Sequence, residues 1–356
     1  MKFVLVHNVV LKKKIIFQRG SNRKIHNFVI NATPELMMDL SPYIELLRND
    51  DVVVIPTETV YGLAASIHSD KALQKIFAIK QRPLSNPLIV HLADPADFKL
   101  YATSVPEEVW LLAEKFCPGP ISFVLPAADN ISPVIRGGQS TVALRIPNHP
   151  LTLQLIRELG SPLAAPSANR YMGLSATSAA MVELAMPELK GKIIDGGRCS
   201  AGLESTIVGF EGGEPVMYRL GCITRGQIEK ILGREVRFAG SESSEMPKAP
   251  GMQLRHYAPQ TPMIVTNRMM ETLDLLKSVR VAVLGFRSPI SHPAVIAQQL
   301  LSPDGNLEEA AHRLYELLHQ LDQIKPDVIV AEWLPEDEVG QAINDKLRRG
   351  AESVQL

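Results

Sequence analysis

From Asp51 onward the chain alternates short β-branched runs with stretches of helical periodicity, which restricts it to an α/β architecture. Residues 52–55 form a continuous apolar run of strand length. A helix follows. Ser69 or Asp70 caps it, Leu73, Ile76, Phe77 and Lys80 recur at helical spacing, and Pro83 stops it. The next strand is 88–92, and 106–116 reads as a helix with proline in its first turn. Further strands are predicted at 121–125, 141–146, 163–165, 192–194, 205–210 and 216–218, and helices near 151–159, 177–185 and 224–232.

Residues 240–262 break this pattern. Ser, Glu, Pro and Gly replace the apolar periodicity, as in a connector between domains. Beyond it, strands at 263–266, 281–284 and 328–331 alternate with helices near 269–278, 307–323 and 336–349. Three such units predict a small Rossmann-like three-layer domain. Because GxGxxG is absent, no dinucleotide site is indicated there. A chain of 356 residues divides more readily into two cores than one. The expected division is a basic extension at 1–29, a first α/β domain at 30–239, the connector, and a second domain at 263–356.

Composition narrows the function classes. Hydrophobic residues at 46% and charged residues at 21% exclude wholesale disorder. A formal net charge of -1 supplies no global field for nucleic acid or membrane, so any anion site must be local. No apolar run reaches the length of a membrane span. Cys117, Cys199 and Cys222 lie too far apart for a CxxC or Cys/His metal pattern, and a reducing, cytoplasmic setting is expected. Residues 1–34 contain no acid and carry Lys2, Lys12, Lys13, Lys14, Arg19, Arg23 and Lys24. A targeting peptide, an ordinary basic extension and a start codon assigned too early all remain open.

Walker, HExxH and GxSxG signatures are absent. Five other constellations carry polar chemistry. The first joins 56–63 (Pro-Thr-Glu-Thr-Val-Tyr-Gly-Leu) to 80–88, where Lys80, Arg82 and Asn86 sit in a loop braced by Pro83 and Pro87. A point charge and a planar fork held together suit a polyphosphate, although one such Lys alone is ordinarily a helix C-terminal cation. The second is 141–147, where Thr141, Ala143 and Arg145 share one strand face. Arg145 there is either an edge residue that snorkels or an anion clamp. The third is 164–169, in which Ala165 precedes Ser167 and Asn169 in a tight turn, with Ser175 as a contact or an N-cap further on. The fourth pairs Glu204, Ser205 and Thr206 with Arg219 across an expected hairpin rim. The fifth places Arg255, His256 and Tyr257 in the connector, where such residues stack on a base, cover a phosphate or dock the connector between domains.

Together these segments resemble the threonylcarbamoyl-AMP synthase family in its long two-domain form. The paired signature KxR and SxN stands here as Lys80/Arg82 and Ser167/Asn169, and 341–347 is similar to the family's C-terminal segment. The resemblance implies a YrdC-like domain, a twisted mixed α/β sheet around a basic cavity. It also implies that Lys80, Arg82, Ser167 and Asn169 are catalytic. Thr59, His91, Arg145, Ala165, Ser167 and Ser205 would surround L-threonine. Arg82, Asn86, Thr141, Ser175 and Arg219 would hold ATP, with Lys80 beside the phosphates and Tyr257 closing over the site. Gln253 and Leu254 depart from the family's usual basic and aromatic residues.

The implied reaction condenses L-threonine, bicarbonate and ATP, with Mg²⁺ on the phosphates, for threonylcarbamoyl modification of tRNA by downstream transfer machinery. No residue identifies the Mg²⁺ ligands or the general base for the amine; His91 is a candidate, placed at threonine without an assigned proton transfer. Two alternatives are a carbamoyl-transfer module and an RNA-binding or ribosome-maturation factor. The near-neutral charge and the lack of an aromatic RNA-binding motif weigh against the latter.

Overall fold

The computed structural model describes residues 38–239, 256–337 and 339–351. The basic extension and residues 240–255 of the connector, with Gln253, Leu254 and Arg255, lie outside the described residues. The first part of the chain builds a nine-stranded sheet from β1 (Val53–Ile55), β2 (Gly62–Ser66), β3 (Ile89–His91), β4 (Ile121–Pro126), β5 (Thr141–Arg145), β6 (Leu163–Ala164), β7 (Thr206–Glu211), β8 (Glu214–Arg219) and β9 (Arg237–Phe238). Their order is β1-β2-β6-β3-β5-β4-β7-β8-β9. The sheet is mixed: β3–β5, β4–β7 and β8–β9 pair in parallel, the remaining neighbours antiparallel.

Strand periodicity gives this sheet two unlike faces. Val90, Phe123, Leu144, Val208 and Met217 point into the main core. There they meet Leu73, Ile76 and Phe77 of the helix Asp70–Lys80, Val109 and Leu112 of Glu107–Phe116, and Ile228 of Arg225–Leu232. The opposite face carries only a small apolar cluster, Ile89, Val124, Ala143, Ile207, Val216 and Tyr218. By alternation His91, Thr141 and Arg145 belong to that second face.

Local chemistry explains most boundaries. Ser69 accepts from Ala72 N–H at the start of Asp70–Lys80, and the helix ends on Gln81 in the left-handed region. Thr224 and Gln227 form a reciprocal capping box. The β7–β8 hairpin turns on Gly212 and Gly213, both at positive φ. Three elements differ from the expected pattern. Residues 192–194 make a single bridge, Ile193 to Val54, rather than a strand. Gly62–Ser66 is a strand although its sequence, GLAAS, has no β-branched residue. Ser178, not Ser175, caps the helix Ala179–Ala185.

Asp51 ties this end of the sheet to its surroundings, accepting from Lys192 Nζ at 2.7 Å and Lys75 Nζ at 3.1 Å. Burial opposes its charge, but those ammonium donors and Val52 N–H outweigh it and lower the carboxyl to about 2 from 3.8. A depressed carboxyl stabilises the fold above its unfolded value and loses that contribution as pH falls through its folded value. Asp51→Asn is therefore expected to cost up to about 2 kcal/mol at pH 7. Urea midpoints of parent and variant should converge between pH 4 and about 2. A gap that persisted at pH 2 would show that the carboxylate's charge is not the source.

The second sheet is wholly parallel, in the order β10 (Met263–Thr266), β13 (Val328–Glu332), β11 (Val281–Gly285), β12 (Val295–Leu300). Val281, Val283, Val328 and Val330 face Leu273 of the helix Met269–Leu275. Ala282, Leu284, Ile329 and Ala331 face the helices Leu307–Gln323 and Val339–Gly350. This is the expected three-layer arrangement, with β12 as a fourth strand. The same helical layer also meets Val60, Leu174 and Leu203 of the first part, so it lies between the two sheets. The described residues from Asp39 on belong to one compact unit.

Candidate active site

The sparsely covered face of the nine-stranded sheet holds a cavity of about 50 Å³. Strand ends deliver its polar lining: His91 from β3, Arg145 from β5, Ser167 after β6, Ser205 before β7 and Arg219 at the end of β8. Thr59 and Arg82 come from the loops after β1 and after the helix Asp70–Lys80. Ala165 lines the wall, and His256 and Tyr257 close it.

Arg145 is held on one side only. Its Nη2 donates to Glu58 Oε1 and to Thr59 Oγ1, both at 2.8 Å, while Glu58 Oε2 accepts from Asn148 N–H at 3.0 Å. Arginine and glutamate are both buried, and Arg145 Nε has no partner. Thr59 is fixed in turn by Thr57 Oγ1 at 2.8 Å, and Thr57 donates to Val60 C=O. The guanidinium is thus oriented by the Glu58 carboxylate, whose role its sequence position did not reveal.

Arg82 braces its own loop, donating from Nε to Asn86 C=O at 3.1 Å and from Nη2 to Asn86 Oδ1 at 2.5 Å and Pro87 C=O at 2.8 Å. Burial lowers it to about 10, with Arg219 adding, so it keeps its charge at neutral pH. Asn86 does not line the cavity, but its Nδ2 is buried without a partner. Arg219 donates from Nε to Ser205 C=O and from Nη2 to Ser205 Oγ, both at 2.9 Å. Gly221 allows that pairing. A Cβ there would stand 2.4 Å from Glu204 O and from Thr206 N.

Lys80 shares the buried face of its helix, and its ammonium emerges behind the cavity wall. It donates to Ser167 C=O at 2.6 Å, to Asn169 C=O and to Asn169 Oδ1 at 3.4 Å, three acceptors for three donors. Burial, then Arg82 and Arg170, hold it well below its ordinary value. Asn169 also accepts from Ser167 Oγ and donates to Arg170 C=O and Gly173 C=O. The KxR and SxN segments are therefore one hydrogen-bonded unit, with Arg82 and Ser167 on the cavity and Lys80 and Asn169 behind it.

Thr141 and Ser175 also lie off the cavity. Thr141 is half-buried at the start of β5, and Ser175 Oγ donates to Glu204 Oε1 at 2.6 Å. Glu204 itself lines the cavity. His91 is buried beside Arg145; burial and then that charge press it down to about 3. The ring is therefore neutral at neutral pH. His256 is likewise kept well below its ordinary value by burial, then by Arg82, Lys80, Arg219 and Lys346. The His256 ring lies 4.0 Å from that of Tyr257, and His256 Nδ1 and Tyr257 Oη are buried without partners. A neutral imidazole and a phenol thus occupy the space beside a cluster of cations.

Three guanidiniums and one carboxylate, that of Glu204, line the cavity, and the Lys80 ammonium donates to Ser167 C=O in its wall. A buried, positively biased recess on an α/β sheet, with His256 and Tyr257 of the connector in its lining, defines an enzyme site for small anionic substrates. Residues 45–221 match the Sua5/YciO/YrdC family model, described as "Telomere recombination". Residues 223–352 match the model described as "Threonylcarbamoyl-AMP synthase, C-terminal domain". The chain belongs to the threonylcarbamoyl-AMP synthase family, in its long two-domain form. It is 37% identical to the threonylcarbamoyl-AMP synthase of Bacillus subtilis (strain 168), over 92% of this chain and 98% of that protein. Identity to that of Pyrococcus abyssi is 36%, over 86% and 92%. The crystal structure of P. abyssi Sua5 complexed with L-threonine superposes with a TM-score of 0.81 at 36% identity, covering 88% of this chain and 94% of that one.

Proposed function

We propose that this chain condenses L-threonine, bicarbonate and ATP into threonylcarbamoyl-AMP and pyrophosphate. The observation that carries the proposal is the set of unpartnered buried polar atoms around the cations: Arg145 Nε, Asn86 Nδ2, His256 Nδ1 and Tyr257 Oη. Buried polar groups are almost always paired, so this set points to a polar ligand. Arg145, with Nη2 fixed by Glu58 and Thr59 and Nε free, suits the threonine carboxylate. Thr59, His91, Ala165, Ser167 and Ser205 complete that end. Arg82 and Arg219 suit the polyphosphate, with Lys80, Asn86, Thr141, Ser175 and Tyr257 around it.

In the proposed reaction bicarbonate takes up a proton and loses water to give CO₂; the threonine amine attacks that CO₂, forming the carbamate N–C bond and releasing a proton. A carbamate oxygen then attacks the α-phosphorus, and the bond from that phosphorus to the bridging oxygen breaks to release pyrophosphate. The reactants are anionic, so the residues act by orientation and charge neutralisation rather than as nucleophiles. A neutral His91 would orient threonine without taking the proton. Among the described residues no group of three or more His, Cys, Asp or Glu side chains is arranged to hold a metal. Glu58 and Glu204 already have partners. This donor set fits Mg²⁺ carried on ATP phosphate oxygens, where it would neutralise charge on the leaving pyrophosphate. The product would pass to threonylcarbamoyl-transfer machinery acting on tRNA, in the cytoplasm. Among the described residues no helix is long and apolar enough to cross a membrane.

Pyrophosphate release is the test. It is expected to require threonine and bicarbonate together, and to fall to background when either is omitted in CO₂-depleted buffer. Equal turnover without threonine would overturn the proposal.

A further inference from the structure

Besides the half-buried His319 and Glu316, which meet Ser175 C=O and Arg198, two fully buried polar side chains of the C-terminal helical layer reach into the first part of the chain, and the proposed reaction does not yet use either. Tyr315, in the helix Leu307–Gln323, is fully buried, and its hydroxyl donates to Glu204 Oε2 at 2.8 Å. The other oxygen of Glu204 takes the Ser175 hydroxyl at 2.6 Å. Lys346, in the helix Val339–Gly350, is 1% exposed and donates to Leu220 C=O at 2.8 Å. Glu204 precedes Ser205, and Leu220 follows Arg219; these are the two residues joined by the guanidinium bonds at the cavity rim. Each member of that pair thus has a backbone neighbour anchored from the other sheet's helices.

The anchors are costly choices. Lys346 belongs to a buried helix face that it shares with Gly340, Ala342, Ile343, Asn344, Leu347 and Gly350. A buried charge is poor material for stability alone. It has a neighbouring carboxylate, Asp345 at 3.2 Å, but its main-chain bond crosses to the catalytic half. The helix carrying it is pinned by Asn344, which both accepts from Leu334 N–H and donates to Leu334 C=O. Lys346 Nζ also lies 5.1 Å from the centre of the Tyr257 ring, and that ring is 6.0 Å from the ring of Tyr315.

We propose that Tyr315 and Lys346 are positioning residues for the nucleotide end of the cavity, acting through Glu204 and through the Arg219–Leu220 backbone. The inference rests on the functional reading above. Its physical content is that a guanidinium stabilises charge only when its position is fixed before the charge develops. The second sheet layer supplies that fixation from outside the cavity.

The experiment uses the full chain, with Mg²⁺-ATP and threonine titrated separately by calorimetry, and with KM and kcat from pyrophosphate release. Tyr315→Phe removes one hydroxyl and keeps the ring; Lys346→Met keeps the stem and removes the charge. Each is expected to raise the Kd and KM for ATP by about tenfold, with threonine affinity within about twofold and a smaller change in kcat. Tyr315→Phe added to Glu204→Gln is expected to weaken ATP no further than Glu204→Gln alone, because the hydroxyl acts only through that carboxylate. Parent-like ATP affinity in both single variants overturns the proposal. So does an equal loss of ATP and threonine binding that tracks a lower melting temperature, which is what a purely structural role produces. A parent that binds no ATP overturns the functional reading instead.

Discussion

Arg145→Met is expected to abolish threonine-dependent turnover and to destabilise the fold by about 3 kcal/mol or more, as when one partner of a buried ion pair is removed. The reason lies in Glu58. Its carboxylate is buried, and after the substitution Asn148 N–H still donates to it but no cation faces it. Glu58→Gln in the Arg145→Met background is expected to recover most of the lost stability without restoring activity, since the amide tolerates burial better than an unpaired anion. Chemical denaturation of the two single variants and the double variant measures this coupling. Additive losses would show that Glu58 serves the fold independently of Arg145.

Arg82→Ala is expected to slow pyrophosphate release by about 10²-fold or more at saturating substrates, the usual cost of a charge-stabilising donor. The structure adds a second effect. Arg82 makes the bonds that brace residues 82–87, so its loss also loosens the loop that presents Asn86. Arg82→Lys separates the two roles: the charge remains, while a single ammonium cannot reproduce the fork. It is expected to fall between parent and Arg82→Ala in rate. An Arg82→Ala enzyme with parent-like turnover would remove this loop from the reaction.

Strand and helix positions in both sheets were legible where side-chain chemistry matched local geometry. Runs such as 121–125 and 281–284 announce buried strands, and the Leu73, Ile76, Phe77, Lys80 spacing finds a helix face that is indeed buried. Gly62–Ser66 was not legible as a strand because small residues are chosen there for close approach. A Cβ on Gly62 would lie 3.3 Å from the Ala165 Cβ. Val295–Leu300 escaped because it is a half-buried edge strand with polar alternation. Conversely, the β-branched pair at 193–194 reads as a strand but makes only one bridge.

In the site, the cations were readable as types and their partners were not. Nothing in the spacing of Glu58 and Arg145, 87 residues apart, reveals their pairing. The same holds for Glu204 and Tyr315, 111 residues apart. Lys346 left a trace, since a lysine inside an apolar helix face calls for a buried acceptor. Spacing alone also did not reveal that Lys80 and Asn169, both expected to be catalytic, bond to each other and tie the KxR and SxN turns together.

The helical layer between the two sheets has a consequence for how the protein is made. Synthesis runs from the N-terminus, so the nine-stranded sheet leaves the ribosome first. At that moment Val60, Leu174 and Leu203 face water, and Glu204 lacks its phenolic donor. The layer that covers them ends only at Gly350. At ordinary elongation rates the remaining stretch takes roughly 5–20 s to appear, far longer than a small domain needs to collapse. The nascent catalytic half therefore waits with an apolar wall uncovered, and its cavity acquires final geometry only when the last helix docks.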